Sequence, residues 1–391
     1  MGCQLCGFAA RTQPSIGLLD PLYAKCLYFE DDGERLLWLH ADLIGFDAAD
    51  VATFRAWAKG ELELDPHQVM LSATHTHNGP PTIRLTGCGE YDAGYVQWLL
   101  EQLQQAAVEA IANIEPCRLV RAEGRIDLAV DRRGKPSAHT DARVGLLAAQ
   151  RDNGSYKAAL VNHVMHQVAL GSQCRQISAD VAGQVAAVLR EQLDGSPTVL
   201  LTNGGAGNIN PPQSNVPYAQ VQTWGRQIAV CALDALDESV PIEPASLKSA
   251  RQVAALPLQG MSHTQMQQYA AKGFTHWYET MAERLDEDPQ PLCDDVELFA
   301  VRLGDVHFVG VAAEAFSRLA DDLRDATGRT LYVIGYANGD VGYIPPAAAC
   351  AEGGYEVDSA FLYYNSFPFR PGGHELLCTQ ATTMISQLPL S

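Results

Sequence analysis

Residues 71–80 read LSATHTHNGP and place two histidines one residue apart, just before a predicted turn. The apolar residues 68–71 that precede them predict a buried strand. Because side chains alternate between the two faces of a strand, we expect His75 and His77 to project from the same side of its end. Two imidazoles in that position bind a metal, divide their roles between metal binding and proton transfer, or are hydrogen-bonded histidines of the core.

Short apolar runs alternate with amphipathic segments along the chain, which is typical of an α/β protein. We predict a mixed β-sheet core with flanking helices, built as a single large domain over residues 1–391 because no repeat or flexible linker divides the sequence. The predicted strands are 36–46, 68–74, 116–122, 143–149, 157–164, 198–202, 297–303, 306–312 and 330–336. The predicted helices are 47–63, 92–113, 180–194, 217–238, 263–285, 314–327 and 373–387.

Composition excludes several classes of protein. With 391 residues, of which 47% are hydrophobic, the chain can bury a large core. Its formal net charge of −19 argues against a nucleic-acid partner, since phosphates are bound by clustered Lys and Arg. No apolar run reaches the roughly 18 residues of a membrane span, and we expect neither a signal peptide nor stable membrane insertion. The 10 scattered cysteines favour free thiols and a cytoplasmic location.

A second histidine segment, residues 161–167, reads VNHVMHQ and follows the predicted strand 157–164. His163 and His166 are three residues apart, so they share a face only if the backbone there is helical. On an extended strand end they face opposite ways, and one of them is then expected to be structural. This segment alone is weak evidence for a site.

Residues 202–211 read TNGGAGNINP and follow another predicted strand, which raises the question of a dinucleotide site. Gly205 and Gly207 match the start of the fingerprint, but Asn210 stands where the third glycine is required. The fingerprint therefore fails, and we expect these glycines to let the backbone approach a ligand or a metal site closely.

Glu314 directly follows the predicted strand 306–312, so its carboxylate either belongs to a site or lies in the first turn of the next helix. Serine-hydrolase and nucleotide-binding motifs are absent from the sequence. The His374-Glu375 pair lacks the second histidine of a zincin metalloprotease.

Taken together, these segments resemble the neutral, non-lysosomal ceramidase family, most closely its short bacterial members. The resemblance extends from residues 20–24 to residues 354–356, and five segments occur in the order that the family has. They are 72–80, 131–133 with 141–144, 162–166 with 178–180, 207–211, and 338–344.

The resemblance implies a zinc-dependent hydrolase that acts on amide bonds. Carried over by position, the zinc ligands are His75, His166, Glu314 and Tyr343. The same resemblance makes His77 and Arg132 the groups that polarise the scissile carbonyl and hold its oxyanion. His77 in place of Tyr343 is the alternative fourth ligand.

Three departures from the family bear on the reaction. Asn210 occupies the catalytic position where long ceramidases have a serine important for amide cleavage, and Asn208 replaces an aspartate. A zinc-bound water can attack without them, so we expect hydrolysis of an N-acyl or cyclic amide. The sequence also ends where long ceramidases continue into a further β domain, which favours a substrate smaller and more soluble than ceramide.

Two other functions stay open. One is metal-dependent acyl transfer, or formation of a lactam or lactone, and the other is a non-catalytic binding homologue. In every case the expected partner is a small molecule, and self-association into a homo-oligomer is left open. His163 is not required by the family pattern, so we expect it to be a core histidine held by a backbone carbonyl or a carboxylate.

Overall fold

Strands and helices alternate along the described part of the chain, which comprises residues 2–244, 246–287 and 291–388 of a computed structural model. The strands are β1 (Gly17–Leu18), β2 (Ala24–Asp31), β3 (Glu34–Ala41), β4 (Val69–Ala73), β5 (Arg118–Arg125), β6 (Val130–Asp131), β7 (Arg143–Gln150), β8 (Tyr156–His163), β9 (Gln176–Ile177), β10 (Thr198–Asn203), β11 (Ile209–Asn210), β12 (Val240–Pro241), β13 (Leu247–Pro257), β14 (Cys293–Leu303), β15 (Val306–Val311), β16 (Glu314–Ala315), β17 (Thr330–Ile334) and β18 (Tyr343–Ile344). The helices are α1 (Ala48–Leu62), α2 (Ala93–Ala112), α3 (Asp180–Gln192), α4 (Tyr218–Leu236), α5 (His263–Ala270), α6 (Thr275–Glu287), α7 (Arg318–Thr327), α8 (Ala347–Glu352), α9 (Tyr355–Asp358) and α10 (Gly373–Ser386).

Three sheets of three or more strands form the core. Their strand orders are β10-β8-β7-β5-β12, β13-β14-β15-β17 and β2-β3-β4. Each sheet is mixed, because β10 with β8, β15 with β17 and β3 with β4 are parallel pairs among antiparallel neighbours. The predicted α/β class with mixed sheets is therefore confirmed.

Apolar side chains place the sheets face to face and the helices outside them. A central buried cluster draws on all three sheets and includes Trp38, Leu160, Leu200, Phe299 and Phe308. Adjacent positions of one strand face opposite ways, so Val161, next to Leu160, packs instead with the apolar residues of α3 and α4. Helices α1 and α2 cover the β2-β3-β4 sheet. Helices α5, α6, α7 and α10 cover the β13-β14-β15-β17 sheet.

All nine predicted strands and all seven predicted helical segments are present, with shifted ends and two corrections. The segment 263–285 is two helices, α5 and α6, because the chain between them turns at Gly273, whose φ is +102°. The helix predicted from residue 314 begins only at Arg318, and Glu314 belongs to the short strand β16. The longer strands β2 and β13, the two-residue strands and the short helices α8 and α9 are absent from the prediction.

The loops that leave the carboxyl ends of β4, β8 and β10 meet at one place. Thr76 and Gln167 form a parallel bridge, and the His77 amide donates to the Gln167 carbonyl over 3.2 Å. The His166 amide donates to the Ile209 carbonyl over 3.0 Å. Backbone hydrogen bonds thus bring both histidine segments and the glycine-rich loop into contact.

Two features agree with the composition. The 10 cysteines all carry free thiols, as predicted from their scatter. Among the described residues, no helix combines the length and the apolar character needed to cross a membrane.

Candidate active site

His75 lies two residues beyond the end of β4 and turns its ring with a left-handed backbone, at φ +63°. Its Nδ1 donates to the Ile44 carbonyl over 2.6 Å, and its Nε2 lies 3.2 Å from His77 Nε2. The two rings therefore project to the same side, as predicted, and meet edge to face. The turn at His75, and not strand alternation, brings them together. The ring of Tyr336, whose φ is +56°, stacks on His75 with a centroid distance of 3.8 Å.

His166 reaches the same place from the loop after β8. Its Nδ1 donates to the Ala206 carbonyl over 2.7 Å, so the glycine-rich loop orients the ring. The centroids of the His166 and His75 rings are 4.8 Å apart. Nitrogen atoms of His75, His77 and His166 all lie within 4.8 Å of one another. The predicted convergence of the two histidine segments is thus present in the structure.

Glu314 completes the group from β16, which pairs with β18 so that Glu314 is opposite Tyr343. Its Oε2 lies 3.2 Å from His166 Nε2, and its Oε1 lies 3.8 Å from His75 Nε2. Tyr364 donates to Oε1, and the Tyr336 hydroxyl donates to Oε2 over 3.3 Å. We call His75, His77, His166 and Glu314 the histidine cluster. Placement of Glu314 in a strand is the reason that its carboxylate points inward.

Backbone carbonyls orient two imidazoles of the histidine cluster. His75 and His166 each turn Nδ1 to a carbonyl, so Nε2 of each ring points towards Glu314. Burial, the largest cause, lowers the pKa of His75 to about 3. Burial, again the largest cause, acts to raise the pKa of Glu314, but contacts with the two imidazoles and the charge of Arg132 outweigh it and lower the pKa to about 2. The site therefore places an ionised carboxylate against two ring nitrogens.

Arg132 lies beside the histidine cluster and is held by four hydrogen bonds. Its Nε donates to Glu356 over 2.8 Å and its Nη1 to Asn210 over 3.2 Å. Its Nη2 donates to the Gly207 carbonyl over 2.8 Å and to the Tyr343 hydroxyl over 3.1 Å. Four of the five N–H groups of the guanidinium are engaged, and the fifth, on Nη1, has no partner in the described part of the chain.

Two polar side chains from the sequence motifs point away from the histidine cluster. Asn208 donates to Asp131 over 2.7 Å and accepts from the Ser317 amide over 2.9 Å, so it holds loops together. His163 contacts the Arg143 carbonyl through Nδ1 over 3.2 Å, the type of contact predicted for a core histidine. Neither residue belongs to the group of imidazoles.

The N-terminal segment forms a wall behind His77 that the sequence did not reveal. A Cβ atom added at Gly7 would lie 2.3 Å from His77 Nδ1, which leaves room only for glycine. The Phe8 ring lies 4.8 Å from the His77 ring between centroids. Arg11 donates to the carbonyls of His77 and Cys6. No short-range signal in the sequence connects residues 7–11 with residue 77.

Aromatic side chains lead from the surface to Arg132. Tyr355 is 46% exposed, its ring centroid lies 5.6 Å from that of Tyr343, and the Arg132 guanidinium is 5.7 Å from the Tyr355 centroid. Tyr363 lies 6.3 Å from Tyr355 between ring centroids. An apolar group of a ligand would find its contacts on this side.

Comparison with known structures identifies the fold. A neutral ceramidase from Pseudomonas aeruginosa superposes with a TM-score of 0.80 and 17% sequence identity, covering 99% of this chain and 72% of that one. A ceramidase complexed with C2 gives a TM-score of 0.78 and 16% identity, covering 100% and 74%. This chain has the neutral-ceramidase-like fold. No family model matches the sequence, and no curated protein matches it.

The ceramidase-like fold agrees with the order of the five sequence segments. At this level of identity, the likeness establishes the fold, whereas the chemistry has to be argued from the side chains of this chain.

Proposed function

We propose that this protein is a zinc-dependent amidohydrolase that cleaves an N-acyl or cyclic amide of a small, soluble molecule. One observation carries the proposal: the Nε2 atoms of His75 and His166 converge with the carboxylate of Glu314, and all three side chains are buried. A divalent cation between these atoms would be coordinated by both rings and by the carboxylate. The neutral ceramidases that share the fold support the choice of an amide as substrate.

The side chains fit zinc. His166 Nε2 is buried and, apart from its 3.2 Å approach to Glu314 Oε2, has no polar partner within the described residues, so both atoms are available to a shared cation. Two imidazoles and one carboxylate are a donor set used for catalytic zinc. The carbonyls of Ile44 and Ala206 fix both rings from behind, as is usual for histidine ligands. Zinc, when bound, would activate water and polarise the amide carbonyl.

Two side chains compete for the fourth position. Tyr343 lies opposite Glu314 in the β16–β18 pair, and its hydroxyl accepts from Arg132. His77 Nε2 lies 3.2 Å from His75 Nε2. We propose Tyr343 as the ligand and His77 as the group that polarises the carbonyl. On this assignment, Tyr343→Phe weakens zinc binding, whereas His77→Gln keeps zinc and loses turnover; the reverse result would exchange the two roles.

Arg132 and His77 are proposed to hold the oxyanion. The free N–H on Nη1 of Arg132 is the donor left for a ligand, and Asn210 and Glu356 fix the plane of the guanidinium. Donors that are already oriented stabilise developing charge without reorganisation. Asn210 therefore acts through Arg132, because its side-chain oxygen accepts a hydrogen bond that orients the guanidinium. Loss of one such donor is expected to reduce kcat by about 100- to 1,000-fold.

Zinc analysis together with turnover of a panel of N-acyl and cyclic amides tests the proposal. Wild-type protein should contain zinc, and His166→Ala should contain about one equivalent less and lose about 1,000-fold in kcat/KM. The matched control is His276→Ala, which removes an exposed histidine from α6. Absence of zinc from the wild type, or undiminished zinc in His166→Ala, would refute the assignment.

A second candidate function is acyl transfer or the formation of a lactam or lactone. It is favoured by Asn208 and Asn210, which are both engaged in hydrogen bonds and offer neither a nucleophile nor a proton carrier. Turnover in H₂¹⁸O separates the two reactions, because only hydrolysis places the label in the product acid. Stabilisation by amides without any turnover would instead indicate the non-catalytic binding homologue.

A further inference from the structure

A second cluster of metal-binding side chains joins α7 to α10, away from the histidine cluster. Asp322 lies on α7, and His374 and Cys378 lie four residues apart on α10, so their side chains share one face of that helix. Their potential ligand atoms all lie within 4.8 Å of one another. The His374-Glu375 pair has no second histidine, but it has a cysteine at the same helical spacing. We call these three residues the α7–α10 cluster.

The carboxylate of Asp322 is divided between two partners. Its Oδ1 accepts from Arg318 Nε over 2.8 Å, which fixes the orientation of the group. Its Oδ2 lies 2.8 Å from His374 Nε2. His374 is only 1% exposed, whereas the Asp322 side chain is 30% exposed, so the contact lies at the edge of the buried region. One carboxylate oxygen, one ring nitrogen and one sulfur thus lie close together between α7 and α10.

Two carboxylates act on Cys378, and one of them is paired with a guanidinium. Burial, the largest cause, together with Asp322 and Glu375 raises the pKa of the Cys378 thiol to about 12. Arg318 offsets part of the charge of Asp322, so the negative charge of Glu375 remains to favour a cation near Cys378. A bound cation would also favour the thiolate over the thiol, because a coordinating thiol loses its proton.

We propose that Asp322, His374 and Cys378 bind a divalent transition-metal ion of the class that accepts mixed nitrogen, oxygen and sulfur ligands, such as Zn²⁺ or Co²⁺. On binding, the S–H bond of Cys378 breaks and its proton goes to solvent as the metal–sulfur bond forms. The His374 proton moves from Nε2 to Nδ1, so the imidazole stays neutral. The thiolate and the carboxylate together balance the two charges of the ion.

The role of this ion would be structural. Helix α7 begins four residues after Glu314, and α10 is the last helix of the described chain. A metal that ties α10 to α7 would therefore anchor the element that follows the carboxylate of the histidine cluster. The proposal does not depend on the amidohydrolase assignment, because it involves none of the same residues.

Titration of the metal-free full-length protein with Co²⁺ tests the inference. A thiolate ligand gives cobalt a sulfur-to-metal charge-transfer band in the near ultraviolet, and the histidine cluster contains no sulfur. We expect this band in wild type and in His166→Ala, and we expect Cys378→Ser to lose it. Cys378→Ser preserves the size of the side chain, so the test does not rest on a large change of the fold.

Cys350→Ser is the matched control. Cys350 lies on α8 and is also influenced by Glu375, but it is not part of the α7–α10 cluster. The band should persist in Cys350→Ser. A band that is absent from wild type, survives in Cys378→Ser or disappears in Cys350→Ser would overturn the inference. Failure of metal binding at the histidine cluster alone would leave the band intact, so the two proposals fail separately.

Discussion

The histidine cluster and the α7–α10 cluster contain similar side chains but differ in how their rings meet the carboxylate. In the histidine cluster, Nδ1 of His75 and of His166 bonds to a carbonyl 2.6 and 2.7 Å away, and Nε2 of each ring points towards Glu314. In the α7–α10 cluster, His374 Nε2 lies 2.8 Å from Asp322 and makes a hydrogen bond with it. The first arrangement gathers two rings around one carboxylate, whereas the second is a single histidine–aspartate pair.

This difference separates the two proposed metal sites. A metal in the histidine cluster would enter between ring nitrogens that already converge on a carboxylate, whereas a metal in the α7–α10 cluster would have to displace a hydrogen bond and a thiol proton. The types of residue alone do not distinguish the two clusters. The carbonyls behind the rings distinguish them, because a carbonyl bonded to one ring nitrogen decides which nitrogen is turned to the metal site.

The largest expected effect is that of replacing a ligand of the histidine cluster. His166→Ala should reduce kcat/KM by about 1,000-fold, since loss of metal removes several kcal/mol of transition-state stabilisation and each 1.36 kcal/mol is a factor of ten. His163→Gln, three residues away, should keep zinc and most of the activity, because His163 contacts only the Arg143 carbonyl. Equal losses in both variants would mean that the wrong histidine has been assigned to the metal.

A smaller loss is expected when the wall behind His77 is disturbed. The Cβ of Gly7→Ala would lie 2.3 Å from His77 Nδ1 and push the ring from its place, which should lower kcat by about 100-fold and leave metal content unchanged. Gly33→Ala is the matched control, since Gly33 has a similar positive φ, +81°, and open space around it. Steady-state kinetics and zinc analysis of both variants measure the effect. Equal kcat in the two variants would show that the contact between residue 7 and His77 does not affect turnover.

A chelator should remove metal from the α7–α10 cluster before it removes metal from the histidine cluster. A hydrogen bond to a charged group contributes about 1.5–3 kcal/mol, and the α7–α10 cluster gives one up on binding metal. The thiolate–cobalt band should therefore disappear at chelator concentrations at least about tenfold below those that abolish activity. Parallel absorbance and activity measurements along one chelator titration provide the test. Loss of activity before loss of the band would mean that the α7–α10 cluster binds metal more tightly than the histidine cluster does.

Buried histidines outside both clusters should control stability in acid. Burial, the largest cause, lowers the pKa of His40 to about 3 and that of His307 to about 4, against roughly 6.5 in an unfolded chain. Between these values the unfolded state binds more protons, so the free energy of unfolding decreases as the pH is lowered from about 6.5 towards 4. Each such histidine adds a slope of up to about 1.4 kcal/mol per pH unit.

Urea unfolding of wild type and His307→Gln between pH 4.5 and 7 measures this slope. The variant should show a flatter dependence on pH, whereas His276→Gln, which changes an exposed histidine, should match the wild type. Identical slopes for wild type and His307→Gln would exclude a contribution from this residue.

The sequence predicted the elements that have regular periodicity and missed those whose surroundings decide their structure. Strand β13 carries charged residues and alternates irregularly between buried and exposed positions, so its pattern gave no signal. Glu314 was assigned to a helix because an acidic residue after an apolar strand suits a first turn, but pairing with β18 extends the backbone there.

The motifs predict part of the histidine cluster. They name His75, His166 and Glu314 as ligands together with Tyr343, and His77 as a group that polarises the carbonyl. The structure brings the three histidines and Glu314 together, and their roles stay predictions. The hydroxyl of Tyr364, however, reaches Glu314 across 50 residues of sequence. Such contacts depend on how whole elements pack, and no local pattern encodes them.

His75 and Tyr336, whose rings stack in the middle of the site, both have a left-handed backbone. This conformation costs about 1–2 kcal/mol for each residue with a side chain. Folded domains have a free energy of unfolding of about 5–15 kcal/mol. The backbone conformation that orients these two rings therefore lowers the free energy of unfolding by an appreciable fraction. Few further destabilising changes can then be tolerated. New specificities should therefore evolve most readily in descendants that first acquire stabilising substitutions far from these rings.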